Sequence, residues 1–342
     1  MTSLISSDLP DSSASTLPTV EVAVGLMLRN FPERPQILMA ERTGNQHFAG
    51  FWEFPGGKLE TGEQPDTALS RELIEELAIN PTVFYRWGGV RNFVYPHAHV
   101  HLFFYRITDW EGTPTGAEGQ TIQWFDLHSL PEETILPANR PLLRFLRAPV
   151  THLITDIARY GEKNTLRQLQ VWLEQPATFS LQIRDKTLSD TERQHFGARI
   201  LSLVKRTRND CPVLWNGTPD SAFSNGFDGV HCPQNIWTTP HFSWPENLPS
   251  TFWKSASCHI PEHLSLVEQL HFDSATYSPV KPTKTHPNTP AIGWDTFKND
   301  VQQSVIPIYA LGGLQPNDIT TAFKHGAHGI ALCSSAWESA LT

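Results

Sequence analysis

The sequence predicts an α/β protein in two parts, the second of them a (β/α)8 barrel, and three observations predict it. The chain has 342 residues, more than one compact core usually needs. In its second half, eight short β-like runs alternate with helix-length stretches, the pattern of a parallel barrel wrapped in helices. In its first half, runs of alternating apolar residues surround one stretch of helical period.

Residues 1–19 are rich in Ser and Thr and lack both a basic and an apolar segment, so they read as a disordered leader and not as a signal peptide. Alternation at 20–27 and again at 36–40 predicts a β-hairpin. A helix over about 64–77 follows, opened by Thr61-Gly62 and a Pro in its first turn. Strands are expected near 83–94, 99–107 and 121–126, and a short helix over 140–146. Domain bounds of 20–148 and 151–342 follow, with the junction at Arg147-Ala148-Pro149-Val150. The eight barrel strands are expected at 152–156, 180–185, 212–216, 229–232, 253–259, 275–280, 306–311 and 329–334.

Composition excludes several classes. No apolar run approaches the roughly 20 residues of a membrane span, so no membrane partner is expected. The net charge of −9 is opposite to what a non-specific nucleic-acid binder needs. Up to Val150 there are 11 Lys and Arg against 18 Asp and Glu, so the acidity is concentrated in the first half. Cys211, Cys232, Cys258 and Cys333 are far apart and form no CxxC, which signals neither zinc nor a disulfide framework and leaves a reducing cytoplasm as the default.

The chemistry-bearing stretch runs from Gly57-Lys58-Leu59-Glu60-Thr61-Gly62-Glu63 to Arg71-Glu72-Leu73-Ile74-Glu75-Glu76-Leu77-Ala78-Ile79. Glu72, Glu75 and Glu76 fall at i, i+3 and i+4, so their carboxylates share one helical face. Like charges so placed repel, and hard divalent cations would neutralise them. Alone, such a triplet reads as a solvated acidic face. His97, His99 and His101 also alternate, but no carboxylate or Cys partner lies near them in sequence, and half-exposed strand histidines account for them.

The surroundings decide the reading of the glutamates. The stretch resembles the Nudix box at every specified place except Ala78, which stands where the family has Gly. That Gly follows the helix in a left-handed backbone, where Ala costs roughly 1 kcal/mol. The resemblance spans about 20–146 and is to the MutT branch, through Trp52-Glu53-Phe54-Pro55-Gly56-Gly57. It implies a Nudix α/β/α sandwich, so the expected fold is α/β: that sandwich followed by a (β/α)8 TIM barrel. It further implies Mg2+, with Mn2+ as the alternative, held by Glu72, Glu75, Glu76, Glu118 and a carbonyl of Gly56 or Gly57. Glu75 or Glu118 would orient or deprotonate the attacking water, with Glu63 and Arg71 bracing loop and helix.

For the nucleotide substrate the resemblance implies Arg42, Lys58 at phosphate, Asn139 at the base, and Phe54 and Tyr95 flanking it. His97-Ala98 departs from the family's acidic–basic pair at that place. The Asn139 amide can donate to a purine O6 and accept from N7–H, a hydrogen that guanine lacks and the 8-oxo base carries. A site built for that bond rejects analogues without it. Asn139 as a helix cap is the structural alternative.

Residues 151–342 resemble thiamin phosphate synthase, through Leu153-Ile154-Thr155-Asp156, Gln182 to Lys186, Gly229-Val230-His231, Ser257-Cys258-His259, Gly312-Gly313 and Ser334-Ser335. The resemblance implies a pyrimidine diphosphate at Gln182, Arg184 and Lys186, and a thiamin-related phosphate at Gly312, Gly313, Ser334 and Ser335. The family's two metal carboxylates are absent: Gly217 and Ile236 occupy those places, and His286 replaces a Lys. Loss of those charges implies a barrel that binds without catalysing. The fusion leaves three other readings: a thiamin-pathway diphosphate hydrolase, a bifunctional hydrolase and thiamin phosphate synthase, and a ligand-sensing module.

Overall fold

In the computed structural model the described residues are 18–44, 48–89, 91–95, 98–137, 139–185, 187–283 and 289–338. The expected leader up to residue 17, His97, Lys186 and His286, together with the Tyr95 side chain, lie outside them. No helix among the described residues is long and apolar enough to cross a membrane.

The first unit contains β1 (Thr19–Arg29), β2 (Gln36–Glu41), β3 (Trp52–Glu53), β4 (Gly56–Lys58), α1 (Pro65–Leu77), β5 (Asn80–Arg86), β6 (Arg91–Tyr95), β7 (Ala98–Glu111), β8 (Ile122–Asp126) and α2 (Arg140–Leu146). β1 and β2 form the expected hairpin, with Leu28 opposite Ile37. β1 also runs parallel to β7 and antiparallel to β4, while β2 carries β3 and β8.

Alternation along β1 divides its side chains between two cores. Ala23 and Met27 pack with Ala68, Leu69, Leu73 and Leu77 of α1. Val24, Leu26 and Leu28 pack with Leu142, Leu143 and Leu146 of α2. The mixed sheet is therefore sandwiched between two helices, and each buried Leu contributes about 1.5–3 kcal/mol of burial.

The run expected at 83–94 is two strands, because the chain is interrupted at Trp87-Gly88-Gly89. A Cβ on Gly89 would lie 2.3 Å from the Gln303 carbonyl oxygen, and the Gly89 N–H donates to the Ser304 carbonyl. The barrel presses on this strand break, a long-range contact that no local pattern reveals.

The second unit closes as expected: β9 (Thr151–Ile154), β10 (Phe179–Ile183), β11 (Val213–Asn216), β12 (Gly229–Cys232), β13 (Trp253–Cys258), β14 (Ser274–Tyr277), β15 (Ile308–Leu311) and β16 (Gly329–Leu332) form a parallel barrel, β16 pairing with β9. Outward residues such as Leu153, Leu181, Val213 and Val230 lie in the main core with the surrounding helices. The alternate positions make a polar network. His152 Nδ1 meets Ser180 Oγ at 2.7 Å and its Nε2 meets Gln182 Oε1 at 3.1 Å. Gln182 donates to Asn216 Oδ1 at 2.7 Å, and His231 meets Ser255 at 3.0 Å.

The two units share a buried contact. Trp87 Nε1–H donates to His328 Nδ1 at 3.2 Å, and His328 Nε2 faces the Ala148 carbonyl at 3.0 Å. Arg106, 2% exposed, donates to the His328 carbonyl and lies over the Phe31, Trp87 and Phe323 rings. Burial among those rings pulls its guanidinium down to about 9. Arg144 of α2 pairs with Asp273 at 2.8 Å.

Candidate active site

α1 presents the expected carboxylates on one side and its apolar stripe on the other. It opens with Pro65 in the first turn and ends at Ala78, whose φ of 56° and ψ of 35° are left-handed. The Ala78 N–H closes the helix on the Ile74 and Leu73 carbonyls. The expected departure from Gly is thus real, and it lies at a helix end away from the carboxylates.

The loop carrying Gly56 and Gly57 lies against that helix. Gly56 has a φ of 136°, and a Cβ there would lie 2.1 Å from the Ala23 carbonyl oxygen. Its N–H donates to Glu76 Oε2 at 3.0 Å. Gly57 lies directly beside the Glu72 carboxylate. Both glycines are needed because backbone and carboxylates approach where a side chain has no room.

Arg71 fastens the same loop. It donates to Glu63 at 2.9 and 3.1 Å, to the Lys58 carbonyl at 3.0 Å, to Glu72 at 2.9 Å and to Glu75 at 3.2 Å. The Arg71 bonds, with the Glu60 N–H, hold Glu63 below its usual range. The Lys58 side chain is exposed.

The electrostatics single out Glu76. Burial, with the charges of Glu72, Glu118 and Glu53, raises Glu76 to about 7 against the bond from the Gly56 N–H, which lowers it. Glu118 is exposed, and Gln120 positions it: the Gln120 amide accepts from the Glu118 N–H at 2.9 Å and donates to the Glu76 carbonyl at 2.8 Å. Among the described residues no three His, Cys, Asp or Glu side chains already converge on one point. Arg71 takes up Glu72 and Glu75, and Gly56 takes up Glu76. The donor set, oxygen only, fits Mg2+ or Mn2+.

The nucleotide-binding candidates lie next to β2 and β3 and at the start of α2. Arg42 forms an ion pair with Glu53, at side-chain exposures of 21% and 26%. Phe54 is 4% exposed and packs in the core on the α2 side, so it underlies the site as core. The segment leading to Asn139 is attached to β3 by a Leu136 N–H to Trp52 carbonyl bond of 2.8 Å. Asn139 stands at the start of α2 but its side chain makes no cap bond, and it is 7% exposed. Its side chain therefore does not act as a cap, though its carbonyl accepts the Leu142 N–H. Sequence reasoning gave no role to Glu53 or Gln120. Their partners lie far away in sequence or act through the main chain, so spacing carries no signal of them.

At the barrel mouth, Gly312 and Gly313 have φ of 107° and 65°, and the Ser335 hydroxyl donates to the Leu314 carbonyl at 2.7 Å, which brings the two expected phosphate elements together. Ser334 Oγ accepts from Arg159 at 3.1 Å. Gln182 is 1% exposed and engaged in the interior network, so it is bound from within the barrel; Arg184 is half-buried above it. Gly217 lies where a Cβ would meet Trp215 Nε1 at 2.9 Å, and Thr218 caps the helix Pro219–Ser224. Ile236 lies in the short helix Gln234–Trp237.

A three-carboxylate helix face against a Gly-Gly loop, joined to a closed parallel barrel, defines a hydrolase with a barrel companion. The Nudix domain model matches residues 19–146 and the thiamine monophosphate synthase model residues 151–336. The 8-oxo-dGTP diphosphatase of Escherichia coli is 38% identical over 128 residues, covering 37% of this chain and 96% of that protein. The putative thiamine-phosphate synthase 2 of Aquifex aeolicus is 32% identical over 186 residues, covering 54% of this chain and 96% of that protein. The CTP pyrophosphohydrolase of Escherichia coli is 33% identical over 135 residues, covering 38% and 92%. The chain belongs to the Nudix hydrolases through its first unit and to the thiamine monophosphate synthase family through its second.

Proposed function

We propose that the first unit hydrolyses 8-oxo-(d)GTP, or a closely related nucleoside triphosphate, to the monophosphate and pyrophosphate. What supports this reading is the presence in one unit of the Glu72, Glu75 and Glu76 triplet on α1 and of an Asn139 side chain that makes no cap bond. Glu72, Glu75, Glu76 and Glu118, with a Gly56 or Gly57 carbonyl, would hold Mg2+. That ion supplies charge neutralisation at the phosphates and a lower pKa for bound water. Glu75 or Glu118, both exposed, takes the proton of the attacking water. The water oxygen bonds to one of the two bridged phosphorus atoms and the α–β bridge breaks, its electron pair staying on the bridging oxygen of the departing group: pyrophosphate if the α-phosphorus is attacked, the nucleoside monophosphate if the β-phosphorus is. Arg71 keeps the Gly-Gly loop and the helix in register, and Arg42 and Asn139 orient the nucleotide.

The barrel is assigned a binding role. Its Gly312-Gly313 and Ser334-Ser335 elements accept a phosphate of a thiamin-related ligand, while Gly217 and Ile236 supply no carboxylate at those places to hold a cation that would neutralise a departing pyrophosphate. The test uses the full chain. With Mg2+ and 8-oxo-dGTP the products should be monophosphate and pyrophosphate; diphosphate and orthophosphate would contradict the reading. With the pyrimidine diphosphate and the thiazole phosphate, calorimetric binding without thiamin phosphate formation is expected. Synthesis at ordinary enzyme rates would refute the binding-only barrel. The tandem fusion favours a second reading, a thiamin-pathway diphosphate hydrolase, which preferential turnover of thiamin diphosphate would establish.

A further inference from the structure

Resting on the hydrolase reading, we propose that Glu53 is a positioning residue, whose carboxylate holds the Arg42 guanidinium toward the nucleotide and away from the carboxylates that hold metal. The contacts of Glu53 and its neighbours support this. The pairing of β2 with β3 sets Ala40 opposite Glu53, and the Arg42 N–H donates to the Phe51 carbonyl at 2.9 Å, so both side chains are mounted on one braced hairpin. The Arg42–Glu53 ion pair is three-quarters buried, where a charge-assisted bond holds geometry better than a solvated pair does. The neighbouring Trp52 carbonyl receives the Leu136 N–H at the start of the turn to Asn139.

The same carboxylate is within electrostatic range of Glu76. Desolvation outweighs the Arg42 charge and raises Glu53 above its usual range, so this acid is kept where it is costly to ionise. Its pairing with Arg42 and its influence on Glu76 give that cost a purpose. Without Glu53, the guanidinium would be drawn to Glu76, Glu72 and Glu118, where it would compete with metal and no longer face substrate. The guanidinium fork recognises phosphate only in a fixed orientation, so freeing it weakens binding more than chemistry.

The experiment compares full-length wild type with Glu53→Gln, Glu53→Asp and Glu53→Ala, on 8-oxo-dGTP over a range of Mg2+, with calorimetric titration of the monophosphate product. For Glu53→Ala, KM should rise about fivefold or more while kcat at saturating Mg2+ stays within about twofold. The half-activating Mg2+ concentration should rise with it, and Glu53→Asp should recover part of both. Unchanged KM and product affinity in the Ala variant would overturn the proposal, as would a collapse of kcat at constant KM. A wild type that turns over no nucleoside triphosphate would instead overturn the hydrolase reading and take this inference with it.

Discussion

Gly57 and Glu72 stand so close that a methyl group on Gly57 would lie 2.1 Å from the Glu72 carboxyl carbon. The contact joins the loop to the helix at the first of the three carboxylates. Gly57 has no left-handed φ, so its substitution strains the site and not the backbone. Gly57→Ala is therefore expected to push Glu72 aside and slow hydrolysis roughly tenfold or more, with the thermal midpoint nearly unchanged. Wild-type kcat/KM in that variant would show that Glu72 is not held for metal.

Glu75→Gln and Glu76→Gln should each reduce turnover by roughly 10²-fold or more, because a metal-bound site supplies several kcal/mol. Glu76 carries a second expectation, since its charge is buried beside those of Glu72, Glu118 and Glu53. In EDTA, Glu76→Gln should be more stable than wild type by about 1 kcal/mol. Chemical denaturation of both proteins checks this, and a less stable variant would contradict it.

Much of this was legible from periodicity. The strands and helix that position the glutamates follow the period-2 and period-3.6 patterns, and α2 spans the residues expected of it. Five of the eight barrel runs overshoot the C-terminal ends of their strands, as at Asp156 and Asp185, because those residues belong to the mouth loops, while the runs at 212–216, 229–232 and 306–311 end with their strands. What could not be read was long-range. The split between β5 and β6 is imposed by the Gln303–Ser304 backbone, more than two hundred residues away. Glu53 meets Arg42 only through strand pairing, and Gln120 acts through main-chain groups that no residue spacing encodes.

Ala78 occupies a left-handed conformation with φ of 56°. Ala78→Gly should stabilise the protein by about 1 kcal/mol, leaving kcat unchanged because the residue touches none of the carboxylates. Urea midpoints decide it, and destabilisation would mean that the Ala78 methyl makes a compensating contact.

Three buried histidines set a pH dependence. Burial pulls His152 down to about 4 and His328 to about 3, and drives His231 well below the usual value. Each is neutral when folded and titrates near 6.5 when unfolded. The unfolded state therefore binds more protons below that pH, and stability is full above about 6.5 and falls as pH drops toward the folded values. The slope should be about 1.4 kcal/mol per pH unit for each histidine. Unfolding free energies between pH 7 and 5 should decline, and less steeply for His152→Gln; a flat profile would contradict this.

The central proposal is that the Asn139 side chain recognises an oxidised purine whose phosphates are cleaved at the Glu72, Glu75 and Glu76 face. The most direct measurement is kcat/KM with Mg2+ for 8-oxo-dGTP, dGTP and thiamin diphosphate, in wild type and in Asn139→Ala. The wild type should prefer 8-oxo-dGTP over dGTP by roughly 10²-fold or more, as a site rejects an analogue that leaves its buried partner unpaired. Asn139→Ala should narrow that ratio while leaving hydrolysis of dGTP almost unchanged. Equal ratios in the two proteins, or a wild type that prefers thiamin diphosphate, would contradict the account.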